Sequence, residues 1–544
     1  MDSGRVIFVF ALILQYFSCT VSFVWTGEIN LPQGKVRGKV DWQNGYNAYL
    51  GIPYASVTKR FQEANPAPKW SGTMFATNGS INCNQYSELL KTPVGQEDCL
   101  VANVFTPIRQ NNDLLPVMVF VHGGGFDFGS NSNLLFNPKY FIQKDVIVVT
   151  INYRVGAFGF LCLYGTEATG NIGLKDQLAA LQWIKDNIQA FGGNPNTMTV
   201  FGESAGATAI HYMITTGKHE GLFDKAILQS GTVLMPNKID PNPVKTASMV
   251  ASKMGFNSED PKELLEIFQN ASTDEIIKAS RVDAKNQPLK LYLFRPCVES
   301  PVIENKSFIT AYPKQLVDSP ICDTNLDIIL GYNNKEGIKQ AGQYDSNGLK
   351  NLNSTLSDII PENILFTNES EKEALTEEIR KFYFKKGIDH DSLIDYFSDT
   401  VIMYPSFASG NSLLSSNIRL YNYFFKYDSF RNLYKSVSGL PQKPGATHAD
   451  ELFYMFDPLV FNLVPLPAVS PTPEDLKMIN TITTLWTNFA KRRRPSSCTT
   501  ADWNRSKKGD LQFLQLDSEV KMIPLPNPER LLFWDRVYKR YSSL

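Results

Sequence analysis

The chain is short of cysteine and histidine. Seven cysteines in 544 residues are too few for a dense disulfide scaffold, and none stands in a CxxC pair, which argues against a structural zinc site. With only five histidines, any imidazole chemistry is confined to five positions. An excess of one charge is missing too. Lys+Arg numbers 53 and Asp+Glu 54, a net charge of −1, so there is no global electrostatic footprint for nucleic acid. Beyond the N-terminus no apolar run approaches the length of about 18 residues that reads as a membrane span. No internal repeat or flexible linker divides the chain. What is present is core material. Hydrophobic residues make up 43% and aromatics 12%, which excludes a disordered, collagen-like or low-complexity chain.

The N-terminus reads as a secretory signal peptide over residues 1–22. Arg5 supplies the positive end, Val6 to Phe17 the apolar stretch, and Thr20 and Ser22 the small residues before a cut after Ser22. Residues 23–544 then form a single domain, expected to be secreted and extracellular, with no stable membrane anchor. The C-terminal ArgTyrSerSerLeu is neither a retention address nor a hydrophobic anchor signal. Six Asn-x-Ser/Thr sequons fit the secretory route: Asn78, Asn270, Asn305, Asn353, Asn368 and Asn504. That compartment permits disulfides. Cys19 leaves with the leader. Cys83 and Cys99 enclose a 15-residue loop and are the first pair to consider. Cys162, Cys297, Cys322 and Cys498 cannot be paired from the sequence.

Hydrophobic patterning points to an α/β fold. Short alternating runs such as Lys35 to Val40 read as antiparallel hairpins. Leu115 to His122 and Asp145 to Asn152 read as buried strands, and residues 173–190 as a helix stopped by Gly192-Gly193. A strand from Thr197 to Phe201, a helix from about 205, and strands at 225–230, 326–331 and 419–427 follow. Apolar strands alternating with helices imply a large, mostly parallel sheet covered on both faces.

The chemistry sits at Gly202-Glu203-Ser204-Ala205-Gly206. A GxSxG turn between a strand and a helix is a nucleophile elbow, which exposes the serine hydroxyl above the sheet. Serine needs a base, and this topology orders nucleophile, acid and histidine along the chain. That order excludes His122. His211 lies inside the following helix, His219 in a charged turn, and His390 between two aspartates on the surface. His448, in a late loop, is the best base, with His390 second. Glu336, just past the 326–331 strand, is a candidate acid that would hold the imidazole tautomer; topology alone leaves open that it is an exposed loop acid. His122-Gly123-Gly124-Gly125 matches the glycine loop that supplies oxyanion donors, assigned to the N–H groups of Gly124, Gly125 and Ala205. The basic run Lys491 to Arg494 reads as a helix end and residues 369–378 as an exposed acidic helix.

Together with Gly51-Ile52-Pro53-Tyr54-Ala55, Glu97-Asp98-Cys99-Leu100, Asn152-Tyr153-Arg154-Val155-Gly156, Gly173-Leu174-Lys175-Asp176-Gln177, PheGlyGlyAsnPro at 191–195 and His448-Ala449-Asp450-Glu451-Leu452, these motifs resemble the type-B carboxylesterase/cholinesterase family. The resemblance covers essentially the whole mature chain. It implies an α/β-hydrolase fold, Glu336 as the acid, a Cys83–Cys99 bridge, and ion pairs Arg60–Glu97 and Arg154–Asp176. It also implies Glu203 lining the site. The expected activity is hydrolysis of small-molecule carboxylic esters through an acyl-enzyme on Ser204, with no cofactor and no metal. The loop at 84–98 holds no tryptophan for a choline cation, and Glu203 stands where juvenile hormone esterases usually carry glutamine. The style is similar to insect secreted esterases, including antennal odorant-degrading ones. Juvenile hormone esterase and a non-catalytic binding protein on the same fold are the alternatives.

Overall fold

The computed structural model describes residues 24–111, 113–282, 292–299, 307–321, 325–416, 418–459, 470–497 and 502–543. Residues 1–22, read above as a leader, and Asn305, Cys322 and Cys498 lie outside these residues. An 11-stranded mixed sheet organises the chain. In chain order its strands are β1 (Lys39–Asp41), β2 (Tyr46–Pro53), β3 (Val101–Pro107), β4 (Leu115–Val121), β5 (Ile147–Ile151), β6 (Gly193–Glu203), β7 (Lys225–Gln229), β8 (Asp327–Asn333), β9 (Arg419–Phe425), β10 (Phe513–Leu516) and β11 (Lys521–Ile523). Their spatial order is β11-β10-β9-β8-β7-β6-β4-β5-β3-β2-β1. The block from β5 through β4 and β6 to β10 is parallel. β1, β2 and β3 at one edge and β11 at the other are antiparallel.

The alternation of side chains divides the core between the two faces. Val117, Val119 and Val121 of β4 join one apolar cluster, with α1 (Ile172–Asn187) and α2 (Ala205–Thr215) packed on it. Met118 and Phe120 of the same strand join the other, covered by Ile482, Leu485, Trp486 and Phe489 of α3 (Pro473–Arg492). This explains why the strands read as continuous apolar runs: both faces are buried. The helix expected over 173–190 ends at Asn187 and closes with a 3-10 turn to Phe191.

Both expected ion pairs form. Arg60 Nε reaches Glu97 Oε1 at 2.5 Å. Arg154 grips Asp176 with two bonds, Nε to Oδ2 at 2.7 Å and Nη2 to Oδ1 at 2.6 Å, and both side chains are almost fully buried. Removing one partner of a buried pair strands the other's charge, which costs about 3–5 kcal/mol. Asp176→Asn is therefore expected to lower the urea midpoint by that amount of stability with an unchanged m-value; an unshifted midpoint would show the pair is not structural.

Among the described residues two disulfides form, Cys83–Cys99 as expected and Cys162–Cys297, a pairing the sequence left open. The second spans 135 positions and ties the segment after β5 to the chain that carries Tyr292 and Arg295. Among the described residues no helix is long and apolar enough to cross a membrane. The described sequons, Asn78, Asn270, Asn353, Asn368 and Asn504, are exposed. Of the basic run, Arg493 binds Asp327 and Asp224, so it closes the end of α3 onto the sheet.

Candidate active site

Ser204 sits between β6 and α2 with φ 55° and ψ −120°. A non-glycine residue in this region is strained, and its surroundings hold it there. Its N–H donates to Gln229 O at 2.8 Å. The flanking glycines admit the crossing of α2 over the sheet, since a Cβ on Gly206 would lie 2.1 Å from Val121 O.

Glu336 and His448 come from the ends of neighbouring structure. Glu336 follows β8 and is 1% exposed. Its Oε1 accepts from Ser230 Oγ at 2.6 Å and from Asn333 N at 2.6 Å. Its Oε2 takes the bond from His448 Nδ1 at 2.7 Å. A neutral imidazole that donates through Nδ1 keeps Nε2 as its acceptor. The His448 loop is pinned from below. Asn333 Nδ2 donates to Thr447 O at 2.7 Å and to Glu451 Oε2 at 2.6 Å, and Gln229 Nε2 donates to Glu451 Oε1 at 3.0 Å. Ser230 and Glu451 were not singled out from the sequence. Glu451 stood in the HisAlaAspGluLeu motif, but its contacts to β7 and β8 are over one hundred residues distant and no local pattern encodes them.

Glu203 lies under the glycine loop: a Cβ on Gly123 would be 2.5 Å from its Oε2. Its Oε1 is 3.0 Å from His448 Nε2, yet the angle is not that of a hydrogen bond, and Oε1 has no hydrogen-bond partner among the described residues. Ser204 Oγ likewise makes none with His448 here. Burial pushes the Glu203 carboxyl upward, opposed by the charge of His448. For His448, burial disfavours the imidazolium, but the Glu203 charge and the Glu336 bond outweigh it and raise its pKa.

Gly124 and Gly125 adopt φ of 105° and 66°, and Gly124 O accepts from Asp127 N and Phe128 N at 3.0 and 3.2 Å. The N–H groups of Gly124, Gly125 and Ala205 donate no hydrogen bond among the described residues. The remaining histidines have other work. His122 stacks on Tyr153 at 4.3 Å, and burial lowers it to about 4. His211 accepts from Val233 N at 3.2 Å. His390 bonds Tyr344 O at 3.0 Å. His219 differs from the surface turn expected for it: it is fully buried beside Phe223, because the turn folds back onto the end of α2 and bonds Met213 O.

Ser204 and His448 line one cavity, of about 50 Å³, walled in part by Val401 and Ile402. These two come from a π-helical stretch, Ser398–Met403, a rare geometry that recurs at functional sites. Among the described residues no group of His, Cys, Asp and Glu could hold a metal ion.

A GxSxG turn at the C-terminal end of a parallel strand, with a glutamate and a histidine brought together by later loops, is the arrangement of an α/β-hydrolase. Comparison with known proteins names the branch. The chain belongs to the carboxylesterase family, whose model matches residues 26–534, and it is a carboxylic ester hydrolase. It is 31% identical to a juvenile hormone esterase of Heliothis virescens over 86% of this chain and 85% of that protein. It is 31% identical to esterase E4 of Myzus persicae, covering 92% of each. The crystal structure of juvenile hormone esterase from Manduca sexta, with OTFP covalently attached, superposes with a TM-score of 0.82 at 28% identity, covering 94% of this chain and 99% of that one.

Proposed function

We propose that the protein is a secreted serine carboxylesterase, made as a leader of residues 1–22 and one hydrolase domain over 23–544, that cleaves small carboxylic esters through an acyl-enzyme on Ser204. The observation that carries this reading is the 2.7 Å bond from His448 Nδ1 to Glu336, which leaves Nε2 as an acceptor facing the cavity that Ser204 also lines. In turnover Nε2 turns from Glu203 to the Ser204 hydroxyl and takes its proton. The alkoxide attacks the ester carbonyl. Gly124, Gly125 and Ala205 donate to the resulting oxyanion, each such donor being worth about 3 kcal/mol. His448 then protonates the leaving alcohol, and water repeats the cycle to release the acid. Odorant, pheromone or xenobiotic esters are the substrate range we assign.

The test is 1-naphthyl acetate turnover by the secreted protein with organophosphate titration read by intact mass. One label per chain, lost with activity, supports the reading; a folded protein with neither turnover nor label overturns it. A juvenile hormone substrate is the second reading, favoured by the similarity to the two hormone esterases. Turnover of the hormone well above that of short acetates decides for it.

Glu203 sets a pH signature. Only neutral His448 can act as base, so kcat/KM rises with pH through the His448 pKa. Glu203 holds that pKa up. Glu203→Gln removes the charge, lowers the pKa, and is expected to move the acid limb of the kcat/KM profile to lower pH. A limb that stays in place, or moves up, shows that Glu203 does not act on His448.

A further inference from the structure

The active-site cavity is polar in a way that simple ester hydrolysis does not require. Lys238 and Lys339 line it beside Ser204 and His448. Lys238 is 3% exposed. Its ammonium has the rings of Phe126 and Tyr292 at 6.0 Å. Among the described residues neither lysine makes a hydrogen bond through Nζ or an ion pair within 4.0 Å. Glu203 acts on both through its charge but from beyond that range. Three side-chain amides, of Asn237, Gln340 and Gln343, also line the cavity, each with its carbonyl oxygen unpartnered. A turn of an amide presents its NH2 instead.

A buried ammonium at Lys238 and a half-buried one at Lys339, neither with a direct ionic or hydrogen-bonding partner, are costly, because desolvation penalises the charge and only the aromatic rings beside Lys238 and the more distant Glu203 charge offset it. A neutral aliphatic ester would leave that cost in place and add to it by expelling water. A ligand carboxylate would remove it through charge-assisted hydrogen bonds. Burial lowers Lys238 to about 8, so it remains mainly charged at neutral pH. The carboxylates nearest the reaction do not fill the role: Glu336 is spent on His448, Ser230 and Asn333, and Glu203 lies under Gly123.

We infer that the cavity selects esters bearing a second, ionised carboxylate, seated by Lys238 and Lys339; this rests on the hydrolase reading of the same cavity. Two substrate classes meet the description. In half-esters of dicarboxylic acids the anion travels with the acyl group, and hydrolysis gives a diacid and an alcohol. In acyl esters of hydroxy acids it travels with the leaving group, and hydrolysis gives an acid and a hydroxy acid. Water supplies the oxygen and hydrogen in both.

The experiment compares kcat/KM, with each uncatalysed rate subtracted as background, within two matched pairs. One is mono-4-nitrophenyl succinate against 4-nitrophenyl methyl succinate. The other is 4-acetoxybenzoate against its methyl ester. The parent enzyme is expected to favour the charged member of at least one pair by about tenfold, and the pair that shows it identifies the side on which the anion sits. Lys238→Met and Lys339→Met are expected to collapse that ratio toward one, while organophosphate labelling reports whether each variant is folded. A parent that favours the neutral member of both pairs while turning over 1-naphthyl acetate overturns the anion selection and leaves the hydrolase reading standing. Absence of turnover and of label overturns both.

Discussion

Ser204→Ala is expected to lower kcat for 1-naphthyl acetate by about 10⁶-fold, the loss typical when a serine nucleophile is deleted and only binding and oxyanion contacts remain. Organophosphate labelling should vanish with it. The fold should not suffer. Among the described residues the Ser204 side chain makes no bond that stabilises the turn, and the backbone is held by the Ser204 N–H to Gln229 O contact, which alanine keeps. Circular dichroism and the urea midpoint should therefore match the parent. A variant that retains even a hundredth of the parent kcat and still takes up label would place the nucleophile elsewhere.

The second large effect is expected at Glu336. Replacing an orienting carboxylate by its amide costs about 10⁴-fold in kcat where the imidazole tautomer depends on it. The geometry makes Glu336→Gln a stringent case. Oε1 receives two donors, Ser230 Oγ and Asn333 N, both at 2.6 Å. An amide must turn its carbonyl oxygen toward those donors, so its NH2 faces His448 Nδ1. That nitrogen then becomes an acceptor, and the proton moves to Nε2, where it blocks base catalysis. We expect kcat to fall with little change in KM. A loss of only a few-fold would mean that another group orients the ring, and Glu203, 3.0 Å from Nε2, is the first to examine. Ser230→Ala provides the internal control: it frees one side of Oε1 and should soften the penalty of the amide, a coupling that a double-mutant cycle reads directly.

The parts of this site that were legible in the sequence are those with a local signature. Ser204 lies between glycines whose small size is needed where α2 crosses β4. The glycine loop ends an apolar strand. The helix and strand boundaries followed because burial on both faces leaves uninterrupted apolar runs. Glu336 needed more, since a loop acid looks the same whether buried or exposed; only its place after a sheet strand and the family resemblance singled it out. What stayed hidden is long-range. The Cys162–Cys297 bridge, the Ser230 support of Glu336 and the Glu451 brace join positions roughly one hundred or more apart. The full burial of His219 is of the same kind, because its neighbours Lys218 and Glu220 read as surface. Lys238 and Lys339 carry no motif at all. Their meaning comes only from the cavity in which both end.

The left-handed backbone at position 204 has a consequence for how such a chain can change. Reactivity and foldability pull in opposite directions at this residue. A φ of 55° suits glycine, and any side chain there stores on the order of 1–3 kcal/mol. Ser204→Gly would abolish the chemistry and, by releasing that strain, yield a sturdier molecule. Drift toward an inert descendant thus runs downhill in folding free energy, and only selection for turnover keeps the hydroxyl in place.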